Sequence, residues 1–259
     1  MPHNLLNLRS LKKFFRHPFI LLISGFWLPC ALAATQPKPL RFAMEASYPP
    51  FTFFNRHNQI CGFEIEIAQA LCQLLERPCT FQHQSFDSLL LNLKFHRSDA
   101  IISALDITPA RARQVAFTQP YYQNSATFVI LNGQINTIDK LRQQRVGVQR
   151  GTTHQNYLFA KHPDIQTVAY DSYQNALLDL QHGRIQAIFA DSAIAQHWCQ
   201  QQPLLSRLGK TISDPDYFGV GLAIAVRPED TQLLQQLNQA LTRLKQQGKW
   251  QAITQKWFH

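Results

Sequence analysis

Arg111, Ser103, Asp106 and Asp191 are the side chains of this 259-residue sequence whose types and placement could do chemistry. Ala100-Ile101-Ile102 is a short apolar run of strand type, and Ser103-Ala104-Leu105-Asp106 leaves it through small and polar residues before Thr108-Pro109 opens a helix. Thr108 suits the N-cap and Pro109 the first turn. Arg111 therefore falls within one turn of a helix start, beside the hydroxyl and amide groups of a strand end. A guanidinium so placed can hold a carboxylate through two parallel N–H bonds. A second candidate is Gln149-Arg150-Gly151-Thr152-Thr153, between a strand and a helix. Gly151 lets the backbone approach a ligand, and the amides of Thr152 and Thr153 attract an anion. The motif lacks the lysine and the spacing of a nucleotide P-loop, and a glycine at such a turn also answers a plain conformational need. Asp191 closes the apolar run Ile185 to Ala190. There it could take a cation or cap the next helix.

These groups need strand ends to stand on, and the hydrophobic pattern supplies them. Leu40 to Met44 alternates as a strand, which Pro49 and Pro50 prevent from continuing, so Tyr48 stands in a loop at a strand's carboxyl end, where open α/β sheets bind ligands. Gly62 to Glu76 is predicted as a helix with Ile67, Leu71, Leu74 and Leu75 on one face, and Glu64 and Glu66 serving its dipole or cap. Cys79 to Gln82 is predicted as a strand and Phe86 to Phe95 as a helix. After a crossing strand, Ala126 to Leu131, a fresh series follows: strands at 146–148, 165–170 and 185–190, and helices at 152–161 and 172–181. Strands alternating with helices imply a largely parallel sheet covered on both faces. A return strand, 222–226, precedes two helices, 229–247 and 249–258.

Residues 99–122 resemble the signature of the periplasmic amino-acid-binding proteins that feed ABC importers, solute-binding protein family 3. Tyr48-Pro-Pro-Phe51, Gly62-Phe63-Glu64-Ile65-Glu66, Phe86-Asp87-Ser88-Leu89, Gly151-Thr152-Thr153-His154-Gln155 and Tyr170-Asp171-Ser172-Tyr173-Gln174-Asn175 fall in that family's order and spacing, over nearly all of Leu40 to Phe258. The last two strings are most similar to the arginine-binding members. The resemblance implies an α/β fold of the periplasmic-binding-protein-like type II, two α/β lobes joined by a two-crossing hinge with the ligand cleft between them. Lobe 1 would comprise residues 34–125 and 222–259, and lobe 2 residues 126–221.

It also implies the site. Arg111 would grip the α-carboxylate of one bound amino acid, aided by backbone amides near Ala104 and Thr153 in the Gln149 to Thr153 turn. Asp191 and Ser103 would take the α-ammonium, because a buried zwitterion needs a partner for each charge. Tyr48 and Phe86 would flank a guanidinium side chain, and either Glu45 or Asp106 would supply the opposite charge. Glu45 departs from the small residue common in arginine-binding relatives, and Gln186 from a common Asp. The expected ligand is thus a basic L-amino acid, arginine ahead of lysine, ornithine and histidine, passed by a monomeric carrier to the membrane permease of an ABC importer. The alternative is a periplasmic dehydratase of the cyclohexadienyl or arogenate type on the same fold, with Glu45 or Asp106 as a general acid.

Bulk properties agree with an exported carrier. Arg9, Lys12, Lys13 and Arg16, the apolar run Phe19 to Leu28 and Ala31-Leu32-Ala33 read as a cleaved signal peptide over residues 1–33. Removing these four cations takes the formal net charge from +9 to +5, a mild excess without a basic block and no argument for nucleic acid. Cys72 and Cys79 have a spacing that a helix-to-strand bridge can close. Related binding proteins carry a disulfide there, so the resemblance implies one, although spacing alone settles no connectivity; Cys61 and Cys199 are expected as free thiols. His154, His162, His182 and His197 form no metal-ligand pattern. No serine sits in a G-x-S-x-G elbow. No cofactor, metal or catalytic residue is expected, and His154, which follows Thr153 and could line the cleft, reads first as a surface or capping residue.

Overall fold

The computed structural model describes residues 37–258, so the signal peptide expected over residues 1–33 lies outside the described residues. Two five-stranded sheets organise the chain. In the first, Cys79–His83, Leu40–Met44 and Ala100–Ile101 run parallel, and Ala225–Val226 joins antiparallel between Ala100–Ile101 and Ala116–Phe117. In the second, Gln166–Tyr170, Arg145–Gln149 and Ala187–Asp191 run parallel, followed by Ala126–Leu131 and Leu205–Ile212, each antiparallel to its neighbour. Both sheets are therefore mixed, where the strand–helix alternation predicts largely parallel pairing. The antiparallel members, Ala126–Leu131, Leu205–Ile212 and Ala225–Val226, are the crossing and returning segments, which stand outside the consecutive strand–helix–strand units that pair in parallel.

Each sheet is covered by helices; the apolar stripe expected within 62–76 forms, and Ser192–Gln201 is a helix beyond the expected series. Helix Phe63–Leu74 lays Phe63, Ile67, Ala68 and Leu71 on the first sheet. The final helices, Thr231–Gln246 and Lys249–Phe258, pack on it and on each other, and Leu237, Leu241 and Leu244 join the same core. In the second lobe Tyr173–Gln181 and Ser192–Gln201 cover one face, while Thr153–Lys161 meets Phe128, Val148 and Phe189 on the other. Cys72 and Cys79 are bonded, with their Cα atoms 6.1 Å apart, joining the end of helix Phe63–Leu74 to the next strand. Cys61 and Cys199 are free.

Local details depart from the sequence reading at several places. Helix formation after Phe86 begins as one 3-10 turn, Phe86–Ser88, before Leu89–Lys94. The return strand is only Ala225–Val226, and Leu222 instead makes isolated bridges to Asp106 and Tyr122. Ser47–Tyr48 pairs with Thr52–Phe54, which pairs with Ile60–Cys61, a small sheet that holds the Tyr48 loop. The chain passes between the two large sheets twice, and the two passages run together where Leu222 N–H donates to Tyr122 O at 2.8 Å and Tyr121 N–H to Leu222 O at 2.9 Å.

Gly62, at the N-cap of helix Phe63–Leu74, has φ +130°, and a Cβ there would stand 2.2 Å from Phe51 O. An L side chain meets both a disfavoured backbone region and a backbone clash. Gly62→Ala should therefore cost about 2–3 kcal/mol and lower the melting temperature by roughly 5–10 °C, readable by thermal unfolding. A melt within 1–2 °C of the parent would contradict the tight approach.

Candidate functional site

Arg111 owes its position to the helix start predicted for it. Thr108 Oγ1 accepts Arg111 N–H at 3.2 Å, and Pro109 opens the short helix Pro109–Ala112. Arg111 is 7% exposed. Its Nη1 donates to Asp106 O at 3.1 Å and lies 3.9 Å from Asp106 Oδ2, while Nη2 reaches Gly151 O of the other lobe at 3.5 Å. Its Cζ sits 5.5 Å from the centre of the Phe86 ring. Burial pulls this guanidinium down from its ordinary pKa, and the charges of Asp106 and Asp191 work against that pull.

Two buried carboxylates face it from opposite lobes. Asp106 follows the first sheet's strand Ala100–Ile101; Thr153 Oγ1 donates to its Oδ2 at 2.8 Å and Asn124 Nδ2 to its Oδ1 at 2.7 Å. Asp191 ends the strand Ala187–Asp191; Tyr48 Oη donates to its Oδ2 at 2.5 Å and Asn124 Nδ2 to its Oδ1 at 2.7 Å. No side-chain bond caps the helix that follows, so Asp191 aims into the site instead of serving as its cap. His154 Nε2 stands 3.2 Å from Asp191 Oδ1, close but not aligned as a hydrogen bond. Burial and the nearby Asp191 charge push Asp106 up to about 6, with Arg111, His154 and Asn124 opposing. Burial also works to raise Asp191, but His154, Tyr48 and Asn124 outweigh it and hold Asp191 below the usual carboxylate range.

Glu45 forms a separate acidic corner. It is 4% exposed, takes a hydrogen bond from Ser47 Oγ, and accepts Gln149 Nε2 at 2.7 Å across the cleft. Burial raises its pKa, and the bonds from Ser47 and Gln149 moderate the rise. Ser103 Oγ accepts the Glu45 N–H at 3.0 Å. In the second lobe Thr152 is the N-cap of Thr153–Lys161, accepting Gln155 N–H at 3.3 Å and giving its own proton to Gln149 O at 2.7 Å.

All eleven expected side chains, Glu45, Tyr48, Phe86, Ser103, Ala104, Asp106, Arg111, Gln149, Thr152, Thr153 and Asp191, line one cavity between the lobes. Their placement differs from expectation at three points. Ala104 has φ +43° and gives its N–H to Glu64 Oε1 at 2.6 Å, so that amide is spent and cannot hold a ligand carboxylate. The guanidinium on the face of Phe86 is Arg111's own, and the Tyr48 ring packs on Phe51 and Tyr173 at 5.9 and 5.6 Å between centres. Asp106 stands with Arg111 and Asp191, whereas Glu45 stands apart with Gln149.

Three polar residues of the site escape the sequence reading. Glu64, in the first turn of its helix as expected, is also fully buried and accepts Thr52 Oγ1 at 2.7 Å, Ala104 N–H and Tyr121 Oη. His154 is not at the surface but is 2% exposed and lines the cavity. Asn124 bonds both acids. An acid in a first turn reads the same from sequence whether it turns outward or inward. A signal for Asn124 exists only in its place, a polar residue just before the largely apolar strand Ala126–Leu131.

The sequence profile of the bacterial extracellular solute-binding proteins, family 3, matches residues 40–259. The chain is 43% identical over 238 residues to the ABC transporter arginine-binding protein 1 of Escherichia coli strain K12, covering 92% of this chain and 98% of that one. It is 41% identical over 215 residues to the arginine-binding periplasmic protein of Mannheimia haemolytica, covering 83% and 89%. Among solved structures, a Salmonella typhimurium periplasmic binding protein described for its high arginine specificity superposes with a TM-score of 0.83 at 42% identity, covering 85% of this chain and 99% of that one.

Proposed function

The chain belongs to the bacterial extracellular solute-binding proteins, family 3, and within that family we propose that it is a periplasmic carrier that captures a basic L-amino acid, arginine foremost, and delivers it to the permease of an ABC importer. The charge balance of the cavity carries this reading. Among the described residues, Glu45, Asp106 and Asp191 line it against the one guanidinium of Arg111, with His154 beside Asp191. A neutral zwitterion leaves the acidic excess uncompensated in a dry site, which is costly. An amino acid with a cationic side chain brings the missing positive charge.

The α-carboxylate would pair with Arg111 and the helix start at Thr153, and the α-ammonium with Asp191, beside Asp106 and Ser103. The side chain would then run towards Glu45 and Gln149. Glu45 is assigned to the ligand side chain, rather than Asp106, because Asp106 is already in the group that surrounds Arg111 and Asp191. Groups from both lobes reach such a ligand only when the lobes meet, so binding favours that arrangement, which is the form a permease would recognise. The relatives named above are binding proteins, in keeping with a carrier and not an enzyme; incubation with arogenate and prephenate should give no product.

Glu45→Gln keeps shape and removes the charge. Arginine affinity should fall by about 10–30-fold, while glutamine binding holds or improves. Calorimetry with arginine, lysine, ornithine, histidine and glutamine tests the reading. An unchanged ranking in the variant would remove Glu45 from the side-chain pocket.

A further inference from the structure

Asn124 is where the acids of the two lobes meet. It lies on the first passage between the lobes, just before the strand Ala126–Leu131, and is 7% exposed. Its Oδ1 accepts Ser125 N–H at 2.9 Å, which fixes the direction of the amide, and its Nδ2 stands 2.7 Å from both Asp106 Oδ1 and Asp191 Oδ1. One NH2 group has two hydrogens, one for each acid. No other side chain among the described residues donates hydrogen bonds to both carboxylates. We propose that Asn124 is a positioning residue for ligand capture: by giving one amide hydrogen to each acid, it holds Asp106 and Asp191 side by side as a paired acidic seat for the ligand's ammonium group, with neither acid needing a proton to bond the other.

The proposal rests on the amino-acid-carrier reading and adds to it a residue and a proton balance. The charged and titratable groups that face the pair come from every element around it. Arg111 is 3.9 Å from Asp106, His154 is 3.2 Å from Asp191, and the Tyr48 hydroxyl is bonded to Asp191. Buried Glu64 and its partner Tyr121, together with Tyr173, also feel the Asp191 charge. Two neighbouring buried carboxylates without a shared donor settle their repulsion by keeping a proton between them. Asp106, pushed up to about 6, is the member that would hold it. An ammonium seated beside the pair lowers that pKa, so the bound state carries fewer protons. Binding by the parent should therefore tighten as pH rises through about 6 and weaken below it.

The test compares the parent, Asn124→Ala and Asn124→Ser by arginine calorimetry at pH 7.5 in two buffers of different ionisation enthalpy, which reports the protons released per ligand bound. The parent should release only a small fraction of one proton. Asn124→Ala, with no N–H to give, should retain a proton between the acids, bind arginine about 30–100-fold more weakly and release close to one proton. Asn124→Ser keeps one donor and should fall between the two in affinity and in proton release; it decides the matter alone should the alanine variant not fold. Weaker binding with the parent's proton release would assign Asn124 a merely structural role and overturn the proposal, as would affinities within threefold of the parent. A parent that does not bind arginine overturns the carrier reading itself, and this inference with it.

Discussion

Arg111→Ala is expected to remove measurable binding of arginine and of every other α-amino acid. The guanidinium is buried, is steadied by Asp106 O and the face of Phe86, and points across to the other lobe at Gly151. Among the described residues it is the one arginine or lysine side chain that lines the cavity. Its loss would leave the ligand carboxylate in a dry site with no opposite charge, a penalty of about 3–5 kcal/mol. That corresponds to about a 10²–10³-fold loss or more at 1.4 kcal/mol per decade. Calorimetry reads the loss, and a thermal melt shows that the fold survives. Agmatine, which is arginine without its carboxylate, supplies the control. The parent should strongly prefer arginine to agmatine, and the variant should lose that preference. Arginine affinity within tenfold of the parent would remove Arg111 from the carboxylate site.

Asp191→Asn should act on the other end of the ligand. The change is nearly isosteric and leaves Tyr48 an oxygen to bond, but it withdraws the charge that His154, Tyr48 and Asn124 keep low in proton affinity. An α-ammonium in this buried place then lacks its counter-charge, and arginine affinity should fall about 10²–10³-fold. The des-amino analogue of arginine should lose little between parent and variant, since it never used Asp191. If arginine and the des-amino analogue suffer equally, Asp191 acts through the fold and not on the ammonium.

Local chemistry explains what the sequence made readable. Thr108-Pro109 announces a helix start through a cap that needs only its own neighbours, and that cap forms as expected. The strand ends that carry Ser103 and Asp191 follow from short apolar runs with turn residues after them. What stayed hidden depends on contacts made from far along the chain. Glu64 lies forty residues from Ala104, whose N–H it takes, and nothing near Glu64 says that its helix turns that face inward. The edge strand Leu205–Ile212 interleaves Ser206, Arg207, Gly209, Lys210 and Thr211 with few apolar residues. Such a one-sided edge gives almost no periodic signal. His154 follows a motif that the sequence does reveal, yet its burial against Phe189 and Phe218 is a product of lobe packing.

The resemblance also placed residues more reliably than it placed their bonds. Ala104 lines the cavity as expected, but the left-handed turn at that residue directs its amide to Glu64. Glu45 and Asp106 are interchangeable by type in the sequence, and only their surroundings separate a side-chain pocket from an ammonium seat.

Calorimetry of residues 34–259, stripped of any carried ligand by unfolding and refolding, titrated in turn with arginine, lysine, ornithine, histidine and glutamine, tests the central claim most directly. The account predicts one site per chain, tightest binding for arginine, weaker binding for the other basic amino acids and little or none for glutamine. Silence across the panel, or glutamine bound as well as arginine, would contradict it.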